Sequence, residues 1–259
     1  MIIYRLCSSE PITKGYEKMS IKAVLFDLDG TLLPMDLDQF IKGYFSSLTK
    51  GMASRGFDAK KFSKALLAGI DAMMKNNGRD TNENLFWQTF EAVYGEDARS
   101  REALFNDFYN NEFQSLSSLC GVMEDASWAV RTIRNMGYRT VLATNPVFPP
   151  IATESRMRWA GLEPSDFEFY TTYNNSSYAK PKPEYYLEIA KRLGLDPSEC
   201  LMVGNDTTDD MVAEAVGMSV YLLPEYLINK SGVNISVYNY GNLKNLVAFI
   251  ENLKLREEN

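Results

Sequence analysis

Apolar and polar positions change period along this chain, and the changes divide it. Residues 21–26 (Ile-Lys-Ala-Val-Leu-Phe) form a short, nearly continuous apolar run ending at Asp27. Such a run predicts a strand buried on both faces, and Gly30 supplies the turn after it. From Leu37 to about Phe113 the period becomes helical. Leu37, Phe40, Ile41, Tyr44, Phe45 and Leu48 make one stripe, and Phe62, Ala65, Leu66, Gly69 and Met73 a second. Further helices are expected at 85–93 and 101–113, with loops at 76–80 and 95–97.

Strand and helix patterns alternate from Gly121 onward. A helix face of Ala126, Ala129, Val130, Ile133 and Met136 stops at Gly137, and a strand over 139–143 runs into Thr144. A helix over 149–160, a strand over 167–172 and a helix opened by Pro183 follow. Strands at 200–203 and 219–223 flank a predicted helix over 210–216, and a last helix covers 243–253. This alternation predicts an α/β fold, a doubly wound parallel sheet with right-handed crossovers. Residues 19–35 and 115–259 would build this Rossmann-like core, and 36–114 an inserted α-helical unit. Residues 1–18 read as an extension of unknown role, with an apolar run too short for a signal-peptide core.

Four polar features fall where strands should end: Asp27-Leu28-Asp29-Gly30-Thr31, Thr144-Asn145, Lys180-Pro181, and Gly204-Asn205-Asp206 with Asp209 and Asp210. Open parallel sheets bind ligands outside the carboxyl ends of their strands, so these distant residues can share one crevice. There an Asp can attack phosphorus and be recovered by hydrolysis of the acyl phosphate. A carboxyl two residues later can protonate the leaving oxygen and then activate water. Clustered carboxylates repel one another and a phosphate; Mg²⁺ would neutralise them, helped by Lys180 and the Thr144 hydroxyl. Taken singly, each feature is also an ordinary turn or solvated loop, and Asp209 and Asp210 also suit a helix N-terminus. Lys182 competes with Lys180.

Composition narrows the chemistry. None of the 259 residues is histidine, which removes Ser-His-Asp and Cys-His mechanisms and His-ligated zinc. A net charge of −7 disfavours general nucleic-acid binding. No apolar run of about eighteen residues predicts a membrane span. Cys7, Cys120 and Cys200 are far apart and read as reduced thiols of a cytoplasmic protein.

Residues 26–32 (Phe-Asp-Leu-Asp-Gly-Thr-Leu), 143–145 (Ala-Thr-Asn), 180–183 (Lys-Pro-Lys-Pro) and 203–206 (Val-Gly-Asn-Asp) resemble the four ordered motifs of the haloacid dehalogenase-like superfamily. The likeness covers about 21–220, with the helical insert where that family often places a cap. It implies a phosphatase-type member with Asp27 as nucleophile and Asp29 as acid/base. Thr144, Asn145 and Lys180 would bind phosphate. Mg²⁺ would be held by Asp27, the Asp29 carbonyl, Asp206 and Asp210. A second acid at Asp29 argues against dehalogenation. In the family an acid usually follows the Gly directly, but here Asn205 intervenes, so either Asn205 or Asp206 takes the first metal position; Asp206 is favoured. The expected activity is Mg²⁺-dependent hydrolysis of a small phosphorylated metabolite through an aspartyl-phosphate. The alternatives are a phosphomutase or a catalytically silent binding protein, and the oligomeric state is not legible.

Overall fold

The computed structural model describes residues 20–95 and 97–257; the expectation for residues 1–18 lies outside them. The opening apolar run becomes β1 (Ala23–Phe26), buried along its whole length. The helical stretch expected as an insert follows as α1 (Leu37–Ser54), α2 (Ala59–Met74), α3 (Asn82–Tyr94) and α4 (Glu102–Asn110), then a 3-10 stretch, Glu112–Leu119. Next come α5 (Asp125–Asn135), β2 (Arg139–Leu142), α6 (Pro150–Trp159), β3 (Phe169–Tyr170) and α7 (Pro183–Leu193). The chain ends with β4 (Cys200–Gly204), a 3-10 stretch (Met211–Val216), β5 (Ser219–Leu222), β6 (Asn239–Tyr240) and α8 (Leu243–Glu257).

Among the described residues, six parallel strands form one sheet in the order β3-β2-β1-β4-β5-β6. This is the doubly wound α/β sheet that the alternating pattern implies. The order reverses beside β1, so the crevice between β1 and β4 is the topological switch point where such sheets receive ligands. Register brings the strand ends level, because Phe26 pairs with both Leu142 and Val203. The ladder runs one step further through Asp27 N–H to Val203 O at 2.9 Å and Ala143 N–H to Phe26 O at 2.7 Å. Asp27, and one residue further along their strands Thr144 and Asn205, therefore emerge at the same edge of the sheet.

Side chains alternate across the sheet. Ala23, Leu25, Val141 and Met202 pack against Tyr185, Tyr186 and Ile189 of α7. Val24, Phe26, Leu142 and Val203 face the other side, in a cluster continuous with the insert's aromatic residues. Within the insert, α1 is capped by Asp36, whose carboxylate accepts the Gln39 N–H at 3.0 Å, satisfying a free helix-end donor. Asp58 does the same for α2 through Lys61 N–H at 2.8 Å. The insert meets the core at α6: Phe113 stacks on Trp159 with centroids 5.2 Å apart, and Gln114 Nε2 donates to Ser155 Oγ at 2.9 Å.

One expectation needs correction, a second is refined, and one strand was not expected. The helix expected over 101–113 breaks at Asn111, where ψ is −87°, and continues as 3-10 turns. The helix expected over 210–216 is also 3-10: Ala213 N–H bonds back to Asp210 O, three residues earlier, at 3.2 Å. Strand β6 escapes sequence patterning because its two residues are exposed and carry no apolar alternation. No helix among the described residues is long and apolar enough to cross a membrane.

Phe113 is fully buried where insert and core meet. Phe113→Ala should lower the unfolding free energy by about 3–5 kcal/mol, measured by urea denaturation, if that aromatic junction carries load. A loss below roughly 1 kcal/mol would show that it does not.

Candidate active site

Asp27 leaves β1 into a crevice of about 160 Å³ lined by Asp29, Thr144, Asn145, Lys180, Asn205, Asp206, Asp209 and Asp210, with Leu37, Ile41, Val147, Phe148 and Ile228. The four polar segments thus converge, and Asp27 and Asp206 line the same cavity. Lys180 is the only basic side chain among the described residues lining it. It is buried, and its Nζ donates to Asp27 Oδ1 at 2.8 Å and to Asp210 Oδ1 at 2.6 Å. Burial disfavours the ammonium, but Asp210 and Asp27 overcome that and hold it charged well above the usual lysine range. Burial raises Asp210 to about 7, against the opposing pull of Lys180. Lys182 does not compete for this place: its Nζ donates to Asn76 O in the insert at 2.5 Å.

Thr31 Oγ1 lies 3.0 Å from both Asp27 Oδ2 and Asn205 Oδ1, so its one proton can serve either. The Asn205 side chain is occupied at both ends, since its Nδ2 donates to Tyr226 O at 2.6 Å. Gly30 (φ +84°) makes room, because a Cβ there would collide with that amide. Asp206 Oδ1 accepts the N–H groups of Thr208 at 2.7 Å and Asp209 at 3.0 Å, which shapes the loop. Asp210 Oδ2 accepts Asp206 N–H at 3.0 Å. Both Asp210 oxygens therefore have protein partners, so a metal would compete with Lys180 or the loop for them. The Thr144 carbonyl is fixed by Thr171 Oγ1 at 2.7 Å and Tyr185 Oη at 2.8 Å.

Asp29 stands at the outer edge. One oxygen, Oδ2, accepts a hydrogen bond from Arg156 Nη1. Its other oxygen, Oδ1, is buried without a protein partner, as is Asn145 Oδ1. Burial raises the Asp29 carboxyl above the ordinary value; Arg156 opposes the rise and Asp27 adds to it. Burial likewise raises Asp209. The donors suit a hard divalent cation: all are oxygens, and two buried ones lack partners. Among the described residues no three acidic or thiol side chains form a ready cage, but Mg²⁺ commonly takes one or two carboxylates and completes its shell with water and phosphate.

Residues 21–217 match the haloacid dehalogenase-like hydrolase family. The chain belongs to that family, and it is an enzyme. This hydrolase is 24% identical over 226 residues to the glyceraldehyde 3-phosphate phosphatase of Methanothermobacter thermautotrophicus, covering 84% of this chain and 95% of that one. It is 30% identical over 122 residues to the bifunctional riboflavin kinase/FMN phosphatase of Arabidopsis thaliana, 46% of this chain but only 32% of that longer protein. A Bacillus subtilis relative is spanned over 27% of its length. In fold, the hydrolase resembles a haloacid dehalogenase-type phosphatase from Thermococcus onnurineus at a TM-score of 0.53 and 22% identity, covering 89% and 98% of the two chains.

Arg156 is the site residue that sequence reasoning missed. A single Arg within a helix carries no pattern, and only its complete burial against Asp29 sets it apart. Thr31 lies inside the first motif, yet nothing in the sequence linked it to Asn205.

Removing the Lys180 charge strands two buried carboxylates. Lys180→Met should cost about 3–5 kcal/mol in stability at neutral pH, and adding Asp210→Asn should recover part of the loss. Strictly additive effects in a denaturation double-mutant cycle would contradict the pairing.

Proposed function

We propose that this hydrolase is a Mg²⁺-dependent phosphatase that cleaves a small phosphomonoester through an aspartyl-phosphate on Asp27. The observation that carries the reading is the position of Asp29. Beside the inner crevice around Asp27 lies a groove of about 410 Å³ lined by Met35, Asp36, Tyr226, Leu227 and Lys230, and Asp29, with Leu37, Asn205 and Ile228, lines both. A phosphoryl group beside Asp27 with its alcohol in the outer groove would put the bridging oxygen at Asp29. The relatives' names, which concern small phosphorylated compounds, support the same substrate class.

Charge supports a divalent cation. Five carboxylates line the crevice against one lysine, and a phosphate dianion would add to the repulsion. Bound through Asp27, the Asp29 carbonyl and Asp206, Mg²⁺ would supply the missing positive charge and align the phosphoryl oxygens. Asp210 serves this reading best as the partner that orients Lys180.

Asp27, held by Lys180 and Thr31, attacks phosphorus in line with the ester oxygen. As the P–O bond breaks, Asp29 gives its proton to the departing alkoxide. Lys180, with Thr144 and Asn145 nearby, steadies the phosphoryl oxygens. Asp29 then takes a proton from water, whose oxygen bonds to phosphorus and releases phosphate from Asp27. Leu37 and Ile41 bring the insert to the crevice wall, so the insert acts as a cap that excludes bulk water. A cytoplasmic setting belongs to the same reading, consistent with unpaired Cys120 and Cys200.

A panel of phosphorylated metabolites assayed with Mg²⁺ should identify a substrate that releases inorganic phosphate. Asp27→Asn should cut turnover by at least about a thousandfold, and a chelator should abolish it reversibly. Full activity in Asp27→Asn, or activity indifferent to chelation, would overturn the reading.

A further inference from the structure

A buried arginine needs a reason, because its guanidinium stays protonated and pays heavily for leaving water. Arg156 is 0% exposed on α6, and its ion-pair partner is Asp29. Its remaining contacts are weak: Nε reaches Ala152 O and Nη2 reaches Thr153 Oγ1, both at 3.4 Å. The guanidinium also lies 4.2 Å over the Phe148 ring, a crevice-lining residue. Phe148 in turn packs on Tyr44 of α1 at 5.0 Å between centroids, and Tyr44 Oη is 2.8 Å from Tyr109 Oη on α4. Arg156 therefore lies between Phe148, the ring that packs on the insert, and the turn after β1, with its charge aimed at one oxygen of the proposed acid/base.

The two Asp29 oxygens are consequently unlike. Oδ2 is held by Arg156, whereas Oδ1 is buried and unpartnered, and Asp29 is one of four residues, with Leu37, Asn205 and Ile228, that line both the inner crevice and the outer groove. We propose that Arg156 is a positioning residue that fixes the Asp29 carboxyl by Oδ2 and so reserves Oδ1 for both proton transfers. This rests on the Asp27–Asp29 reading above. In the first transfer the Oδ1 proton moves to the ester oxygen as its bond to phosphorus breaks. In the second a water proton returns to Oδ1 as the water oxygen bonds to phosphorus and the Asp27 acyl phosphate opens. Without Arg156 the carboxyl would turn about its side-chain bonds, and neither oxygen would be held at the bridging position. This is the logic of an acid oriented by a third group.

The test uses leaving-group dependence in full-length protein with Mg²⁺. Wild type, Arg156→Met and Arg156→Lys are compared on p-nitrophenyl phosphate, whose leaving group needs little protonation, and on an alkyl phosphate that wild type hydrolyses. Because kcat/KM reports formation of the phosphoenzyme, Arg156→Met should lose about tenfold to a hundredfold more kcat/KM on the alkyl than on the aryl substrate. Arg156→Lys, which keeps one charged donor, should recover part of that difference. In an Asp29→Asn background, Arg156→Met should not change the alkyl-to-aryl ratio further. Equal losses on both substrates, or no loss, would overturn the proposal and leave Arg156 as a structural ion pair. If Arg156→Met does not fold, the ratio in Arg156→Lys decides: a selective alkyl loss supports the proposal and a wild-type ratio overturns it. A wild type inactive on every phosphate would bring down the phosphatase reading itself, and this inference with it.

Discussion

Lys180 resolves the central conflict of this molecule. Parallel strands that end level deliver several carboxylates to one place, and in a low-dielectric crevice those charges repel strongly. The buried ammonium, 2.8 Å from Asp27 and 2.6 Å from Asp210, ties the ends of β1 and β4 together through opposite charge. Gly204 belongs to this arrangement, since a Cβ there would collide with the Asp210 carboxylate. Asp27 is thereby held at the crevice floor with one oxygen against Lys180 and the other against Thr31.

A second cation works at the rim. Arg156 faces Asp29 from the core side, while the ring it covers, Phe148, packs against the insert. The two carboxyls two residues apart thus meet different environments. Asp27 shares a lysine with a third acid, whereas Asp29 has an arginine on one side and an unpartnered oxygen on the other. Separate environments are how one fold gives two carboxyls different duties.

Much of this was legible in the sequence, for physical reasons that differ by residue. The apolar run before Asp27 announced a doubly buried strand, and strand ends followed by polar residues announced a shared edge. Those signals are local, and the sheet converts them into proximity. What stayed hidden depends on tertiary contact. Arg156 sits in an unremarkable helix, and its importance appears only when α6 is laid beside the turn after β1. Asn205 and Asp206 also differ in their partners, which no sequence pattern conveys: the Asn205 amide lies between Thr31 and Tyr226, while one Asp206 oxygen accepts N–H groups of its own loop. The helical pattern over 210–216 does not specify the 3-10 form of Met211–Val216, because side-chain periodicity over six residues does not distinguish it from an α-helix.

The central claim is that Asp27 itself bonds to phosphorus. Borohydride reduces an acyl phosphate on aspartate to homoserine, so quenching the enzyme during turnover and mapping its peptides reads the attacking residue directly. The account predicts homoserine at position 27 and nowhere else. Homoserine at another acid of the crevice, or none while substrate is being consumed, would contradict it.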